Sequence, residues 1–275
     1  MTKLMLIPSN NEMINMNVDA ITLGIQNLSV NMPIYYTLEQ IKKITKESNK
    51  EIFISLNKNM HSNDLENLKQ TLIELSKLKI KGIMYYDIAV YNLSKKLNLK
   101  IDLVWAQEHM TTNYETINYW YKKNVKYTLL STEISKHEIL EIKQNTKSKL
   151  IVPLIGYYPM FVSKRHLIEN YKKEFNLKNN SKINYIEKEN KTYPIIDEEV
   201  TTVYTNAYLN LTSALNEFKQ NNIDYVLINT LLITTEQIKQ IIEIINYKKE
   251  YNEISKILNN TDTFFLNKES IYKVK

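Results

Sequence analysis

VKYTLLSTEISKHEILEIKQNTKSKLIVPLIGYY, residues 125–158, contains one complete folding unit. It opens on "VKYTLLS" (125–131), a largely apolar run rather than an alternating one, as expected of a strand buried on both faces. Ser135 then stands three residues before Glu138. That spacing is a capping box, in which each side chain satisfies a backbone N–H at the start of a helix. A second apolar run, "LIVPLIGYY" (150–158), follows the helix. Two strands joined by a helix at this spacing argue for a parallel βαβ unit, because parallel strands need a crossover of about this length.

The same rhythm extends in both directions. Apolar runs recur at 3–8, 18–25, 51–57, 80–86, 101–107, 125–131, 150–158 and 223–229. Capping boxes are expected at Thr37 with Gln40, Thr112 with Glu115 and Thr234 with Gln237, and a near variant at Asn63 with Glu66. Eight such units predict an α/β fold of the (β/α)8, TIM-like barrel type. An open doubly wound sheet is the alternative, although no GxGxxG follows any strand. The expected organisation is one barrel domain over 1–258. A β-hairpin insertion at about 182–211 precedes the last strand, and a loosely attached C-terminal tail spans 259–275.

Composition narrows the chemistry. The chain has no cysteine, which removes thiol nucleophiles, disulfides and cysteine-ligated iron–sulfur clusters. No apolar run reaches the roughly 18 residues needed to cross a bilayer. The N-terminus reads as a strand rather than a signal peptide, so the expected location is cytoplasmic, without membrane contact. A net charge of +6 permits a polyanionic partner, but the lysines are scattered among Asn, Ile and Tyr in a pattern that suggests an AT-rich genome. Four histidines, none clustered, predict no bound metal.

In parallel barrels the reacting groups sit at the carboxyl ends of strands. There the sequence offers mainly amides, phenols and a few carboxylates, among them Asn57, Asp87, Gln107, Tyr157 and Asn229. "HEILE" (137–141) lacks the second histidine of a zinc-protease helix, and its His137 reads as an exposed first-turn residue beside the Ser135 cap. "AQEHMTTNY" (106–114) is the densest polar cluster, and Glu108 with His109 is the best candidate acid–base pair. Neighbouring strand residues point to opposite faces, so loop hydrogen bonding is the alternative role for both. The only arginine, Arg165, stands beside Lys164 at the expected start of a helix after the seventh strand, nine residues beyond Gly156. Free N–H groups, a helix dipole and a guanidinium would there converge on an anion. The competing role for Arg165 is a structural clamp on Glu169 or Glu198.

The order of these segments resembles the peptidase U32 family, collagenase-like proteins. Thr112, Asn113, Trp120 and Glu133 occupy places of its Thr-Asn pair, Trp-bearing helix and following Glu step. Gly156, Arg165, Leu167 and Tyr171 match its Gly-to-Arg signature. "YPIIDEEVTTVYTN" (193–206) and "IDYVLINTLLIT" (223–234) resemble its hairpin and last barrel strand. The resemblance covers nearly the whole chain and is closest to short, cysteine-free members of the Bacillota type. Those are similar to proteins of prephenate-dependent 5-hydroxylation of the tRNA wobble uridine, which implies tRNA as partner and prephenate as donor. The strand-end and helix-start reading together with the resemblance gives an expected anion- or ligand-binding set of Arg165, Lys164, Gly156, Tyr157, Thr112 and Asn113. Prephenate is a dicarboxylate, which an arginine fork at a helix N-terminus would suit. The family label itself implies a peptidase, for which the sequence shows neither an activated nucleophile nor a metal set. A third reading is a non-catalytic barrel subunit that supports a catalytic paralogue. The family's arginine loop after the second strand reads "QNLSVNMPIYY" here, and Asn229 and Thr230 replace its usual acidic residue and glycine.

Overall fold

The computed structural model describes residues 1–178, 181–248 and 250–268, with Glu108 described by its backbone alone. The strands are β1 (Lys3–Ile7), β2 (Ala20–Ile25), β3 (Tyr35–Tyr36), β4 (Glu51–Leu56), β5 (Gly82–Tyr85), β6 (Leu103–Trp105), β7 (Tyr127–Leu129) and β8 (Lys149–Gly156). After them come β9 (Pro159–Ser163), β10 (Ile183–Lys188), β11 (Lys191–Asp197), β12 (Thr201–Tyr204), β13 (Tyr208–Asn210), β14 (Tyr225–Asn229) and β15 (Thr261–Asp262). The helices are α1 (Leu38–Glu47), α2 (Leu65–Leu75), α3 (Ile88–Lys96), α4 (Tyr114–Lys122), α5 (Lys136–Asn145), α6 (Leu167–Glu174), α7 (Leu215–Gln220), α8 (Thr235–Glu243) and α9 (Glu253–Leu258).

All eight apolar runs become barrel strands. They pair in parallel in the order β1, β2, β4, β5, β6, β7, β8, β14, and β14 returns to β1, which closes the barrel. Alternate side chains of each strand serve two cores. Met5, Ala20, Phe53, Met84, Val104, Tyr127, Ile151 and Leu227 fill the interior. There Phe53 meets Tyr127 and Tyr225 edge to face at centroid distances of 5.8 and 5.6 Å. Leu6, Ile21, Ile54, Ile83, Val152 and Ile228 point outward under the helices. At the amino ends of the strands, Glu51 closes the floor. It accepts hydrogen bonds from Lys3 at 2.8 Å and the Tyr225 hydroxyl at 2.7 Å, and pairs with Lys81 at 2.9 Å.

The capping boxes at Thr37, Ser135 and Thr234 form as expected. Two others shift. Asn113, not Thr112, caps α4 by accepting from the Thr116 N–H at 2.9 Å. The box expected at Asn63 lies two residues earlier, where the His61 N–H donates to Asp64 at 2.8 Å. With only three glycines in the chain, asparagine takes the left-handed position after helices: Asn98, Asn124, Asn176 and Asn222 all have φ between 50° and 64°.

The excursion between β8 and β14 is larger than a hairpin. The hairpin β10–β11 forms, but it continues through β12 to β9 as a four-stranded antiparallel sheet. "PMFVS" (159–163) is therefore an edge strand rather than a connection, and the insertion begins at Pro159. It ends before β13, which rejoins the barrel antiparallel to β8. Helix α6 belongs to this insertion and buries none of its residues, whereas α7 buries Leu215 and Phe218 in the core. The described part of the expected loose tail is docked: β15 pairs with β13 and Leu266 is buried in the main cluster.

Candidate functional site at the barrel mouth

The insertion folds back over the carboxyl ends of β2, β4, β5 and β6 and leaves a cavity of about 310 Å³. The rim contributes Asn31, Asn57, Lys58, Asn59, Tyr86, Gln107 and His109, and the insertion contributes Pro159, Met160, Val162, Lys164 and Val200. That volume is at the small end for ligand sites.

Three of these residues build the walls. Asn57 accepts from the Val30 N–H at 3.0 Å and donates to the Val30 carbonyl at 2.9 Å, which pins the loop after β2. Asn31 accepts from the Thr202 hydroxyl and so ties that loop to β12. Lys58 is 8% exposed. It pairs with Asp64 at 3.3 Å and with Glu199 of the insertion at 2.5 Å, and donates to the Asn27 carbonyl at 3.1 Å. Burial pushes its ammonium down, but Glu199 and Asp64 outweigh that and hold it above the usual lysine range. Tyr86 is engaged as well, whereas the side chains of Asn59, Gln107, His109 and Lys164 make no hydrogen bond to another described residue. An ammonium, an imidazole and two amides suit a small anion and the polar edges of a nucleobase.

Two expected site residues thus meet here, His109 and Lys164. His109 lies in a 3-10 turn, Glu108–Met110, rather than at a strand end. The side chain of Glu108 lies outside the described residues. Thr112 is exposed and Asn113 is occupied as a cap.

Gly156 has φ +136°, and a Cβ there would stand 2.5 Å from the Asn229 carbonyl oxygen. Its missing side chain makes room for β14 rather than for a ligand. Tyr157 is buried against Tyr208, with ring centroids 4.1 Å apart.

The helix terminus beside Arg165 is also filled from within. Asp197 accepts from the N–H groups of Ile168 and Glu169 at 2.9 and 3.0 Å, and its other oxygen lies 3.1 Å from His166 Nδ1. Burial pushes this carboxyl up, but the Glu169 N–H, the Thr201 hydroxyl, His166 and the Ile168 N–H hold it below the usual carboxylate range. The expected free N–H groups are therefore taken by a carboxylate of the chain itself. Arg165 is exposed and does not line the mouth. The clamp role fails as well, since Glu169 pairs with Lys173 and Glu198 with Lys182.

Lys58, Asn59, Tyr86 and Asn31 were not singled out by the sequence. The first two directly follow the apolar run 51–57, so that strand end read two residues further would have included them, and Tyr86 is the last residue of the run 80–86, passed over for Asp87 beside it. Nothing local marks Asn31, which depends on contact with the insertion. Among the described residues no group of three or more His, Asp or Glu could hold a metal ion. No helix among them is long and apolar enough to cross a membrane.

A model of peptidase family U32 matches residues 8–273. The tRNA hydroxylation protein P2 of Bacillus subtilis (strain 168) is 27% identical over 162 residues, covering 58% of this chain and 52% of that protein. An uncharacterized protease of Methanocaldococcus jannaschii is 25% identical over 149 residues, covering 52% of this chain and 36% of that protein. The matches thus span about half of the first relative and about a third of the second. Among solved structures, orotidine 5'-monophosphate decarboxylase from Methanocaldococcus jannaschii is 18% identical with a TM-score of 0.41, covering 94% of this chain and all of that one. The barrel assignment stands on the chain's own strand pairing.

Proposed function

The chain belongs to peptidase family U32, and on that premise we propose that it is a cytoplasmic tRNA-modification protein taking part in 5-hydroxylation of the wobble uridine. The observation that carries this reading is the mouth, where the polar side chains without a hydrogen bond or ion pair among the described residues are Lys164, His109, Asn59 and Gln107. A cation and an imidazole suit an anionic donor, and amides suit a pyrimidine edge. The relative named for tRNA hydroxylation supplies the reaction class. Prephenate is the donor in this reading, with a carboxylate held by Lys164, and no resident metal is invoked. The peptidase reading has the family's name in its favour. Against it, the mouth is lined by no Ser or Thr, and His109 makes no hydrogen bond to a hydroxyl among the described residues.

A second reading, a supporting subunit for a catalytic paralogue, is favoured by the end of β14. Asn229 is engaged with the Tyr157 carbonyl and the Leu231 N–H, and Thr230 with the Ile7 carbonyl. Neither is available to a substrate.

Binding to unmodified tRNA, followed by fluorescence anisotropy across a salt series, tests the RNA reading. Affinity falls steeply with salt, by a log–log slope of about 0.7–0.9 per phosphate contacted. No binding, or affinity flat from low to moderate salt, overturns it.

A further inference from the structure

The insertion carries an unusual share of exposed rings. On α6 and its C-terminal cap, Leu167, Tyr171 and Phe175 recur at a spacing of four and are 37%, 56% and 59% exposed, so an apolar stripe faces solvent. Tyr171 and Phe175 lie with ring centroids 4.7 Å apart. Phe161 of β9, 54% exposed, belongs to the same side of the insertion. The register shows this: Phe161 pairs with Val203, two residues from the Ser163–Thr201 pair, and Thr201 accepts from the Leu167 N–H at the start of α6. Val162 has the opposite parity and lines the mouth. β9 is the edge strand of its sheet, so the two faces meet along an open edge.

Charge around the stripe is mainly positive, with Glu174 the one acid of α6 that no ion pair among the described residues engages. Among the described residues Lys164, Arg165, Lys172 and Lys178 form no ion pair, while Glu169 is engaged by Lys173 and Asp197 by α6 itself. Exposed rings interleaved with free cations match what unpaired nucleotides need: stacking faces for bases and positive charge for phosphates. A protein partner would call for an apolar stripe without this excess of free cations at its centre.

We propose that the α6–β9 face of the insertion is a stacking platform for a single-stranded RNA segment. Bases lie on Tyr171, Phe175 and Phe161, and the strand crosses the β9 edge so that one nucleotide reaches the mouth. This rests on the reading of the chain as a tRNA-modification protein and adds where and how the RNA is held. It also gives Arg165 a role as a phosphate contact outside the cavity.

The test uses the full chain and a fluorescein-labelled oligouridylate of about ten nucleotides, the scale of one single-strand site. Tyr171→Ala with Phe175→Ala weakens binding at least about thirtyfold, the low end of losing two stacked bases at about 1 kcal/mol each. Lys172→Gln with Lys178→Gln instead lowers the salt slope by about 1.4, two single-strand phosphate contacts. Thermal melting verifies that these surface variants fold. Equal binding by wild type and both variants overturns the platform and leaves tRNA recognition to another surface. No binding of either oligouridylate or tRNA by the wild type overturns both the platform and the reading beneath it. A wild-type dimer in sedimentation that Tyr171→Ala dissociates, with RNA affinity unchanged, makes the stripe a self-association surface and overturns the platform alone.

Discussion

Replacing Lys58 by methionine keeps an apolar stem of similar length and removes the charge that joins the insertion to the barrel. The side chain is 10% exposed, and its partners Asp64 and Glu199 are 23% and 42% exposed. Removing one partner of a fully buried pair costs about 3–5 kcal/mol, because the other charge is left uncompensated. Here Glu199 recovers part of that from solvent, and Asp64 keeps the His61 N–H at 2.8 Å. The expected loss is therefore about 2–3 kcal/mol. With 275 residues, an unfolding entropy of about 2.1 cal/mol/K per residue makes this a fall in Tm of about 4 °C. Urea titration and scanning calorimetry measure both. Lys69→Met is the control, since its partner Glu66 is 70% exposed and such a pair contributes at most about 1 kcal/mol. A Lys58→Met protein no less stable than Lys69→Met would refute the assignment of Lys58 as the clamp between rim and insertion.

The floor and the β8–β14 junction give two further expectations. Burial pushes Glu51 up, but hydrogen bonds from Lys3, Lys81 and Tyr225 prevail and hold its carboxyl at about 2, below the ordinary 4.5. A depressed carboxyl adds stability that is complete above the unfolded value of 4.5 and is lost as pH falls toward 2. Urea midpoints taken downward from pH 5 should show wild type losing on the order of 2–3 kcal/mol more than Glu51→Gln; parallel pH profiles would contradict this. Gly156→Ala places a Cβ 2.5 Å from the Asn229 oxygen at φ +136°, so a loss of at least about 2–3 kcal/mol is expected. A change below about 1 kcal/mol would mean that β14 moves aside at little cost.

The barrel was legible because its strands are buried on both faces, which writes each one as an unbroken apolar run such as Ile151–Ile155. Helix starts were legible where the cap is local, as at Ser135 and Glu138. The α4 cap slipped by one residue because Thr112 and Asn113 are both competent caps and only backbone geometry chooses between them. β9 was hidden because three exposed apolar residues in a row, Met160–Val162, carry no alternation to mark an edge strand. Asp197 was hidden for a different reason: it caps a helix about thirty residues earlier in the chain, and no sequence spacing encodes that contact. The same partner disposes of the anion site expected at Arg165. Its rarity marked it as unusual in composition, but composition does not say which way a helix terminus faces. Of the candidate residues, His109 was found because the loop after a readable strand marks it, although it sits in a turn past the strand end, and Lys164 because a cation can be read locally. Lys58 was missed because its importance comes from Glu199, which the fold brings to it from the insertion.

Nucleoside mass spectrometry of tRNA from a strain lacking this chain tests the reading of function most directly. Loss of 5-hydroxyuridine-derived nucleosides is expected, with recovery on return of the wild-type gene and not of a Lys164→Gln, His109→Ala variant. Unchanged wobble nucleosides in the deletion strain, with any sister protein of the same family also removed, would contradict it.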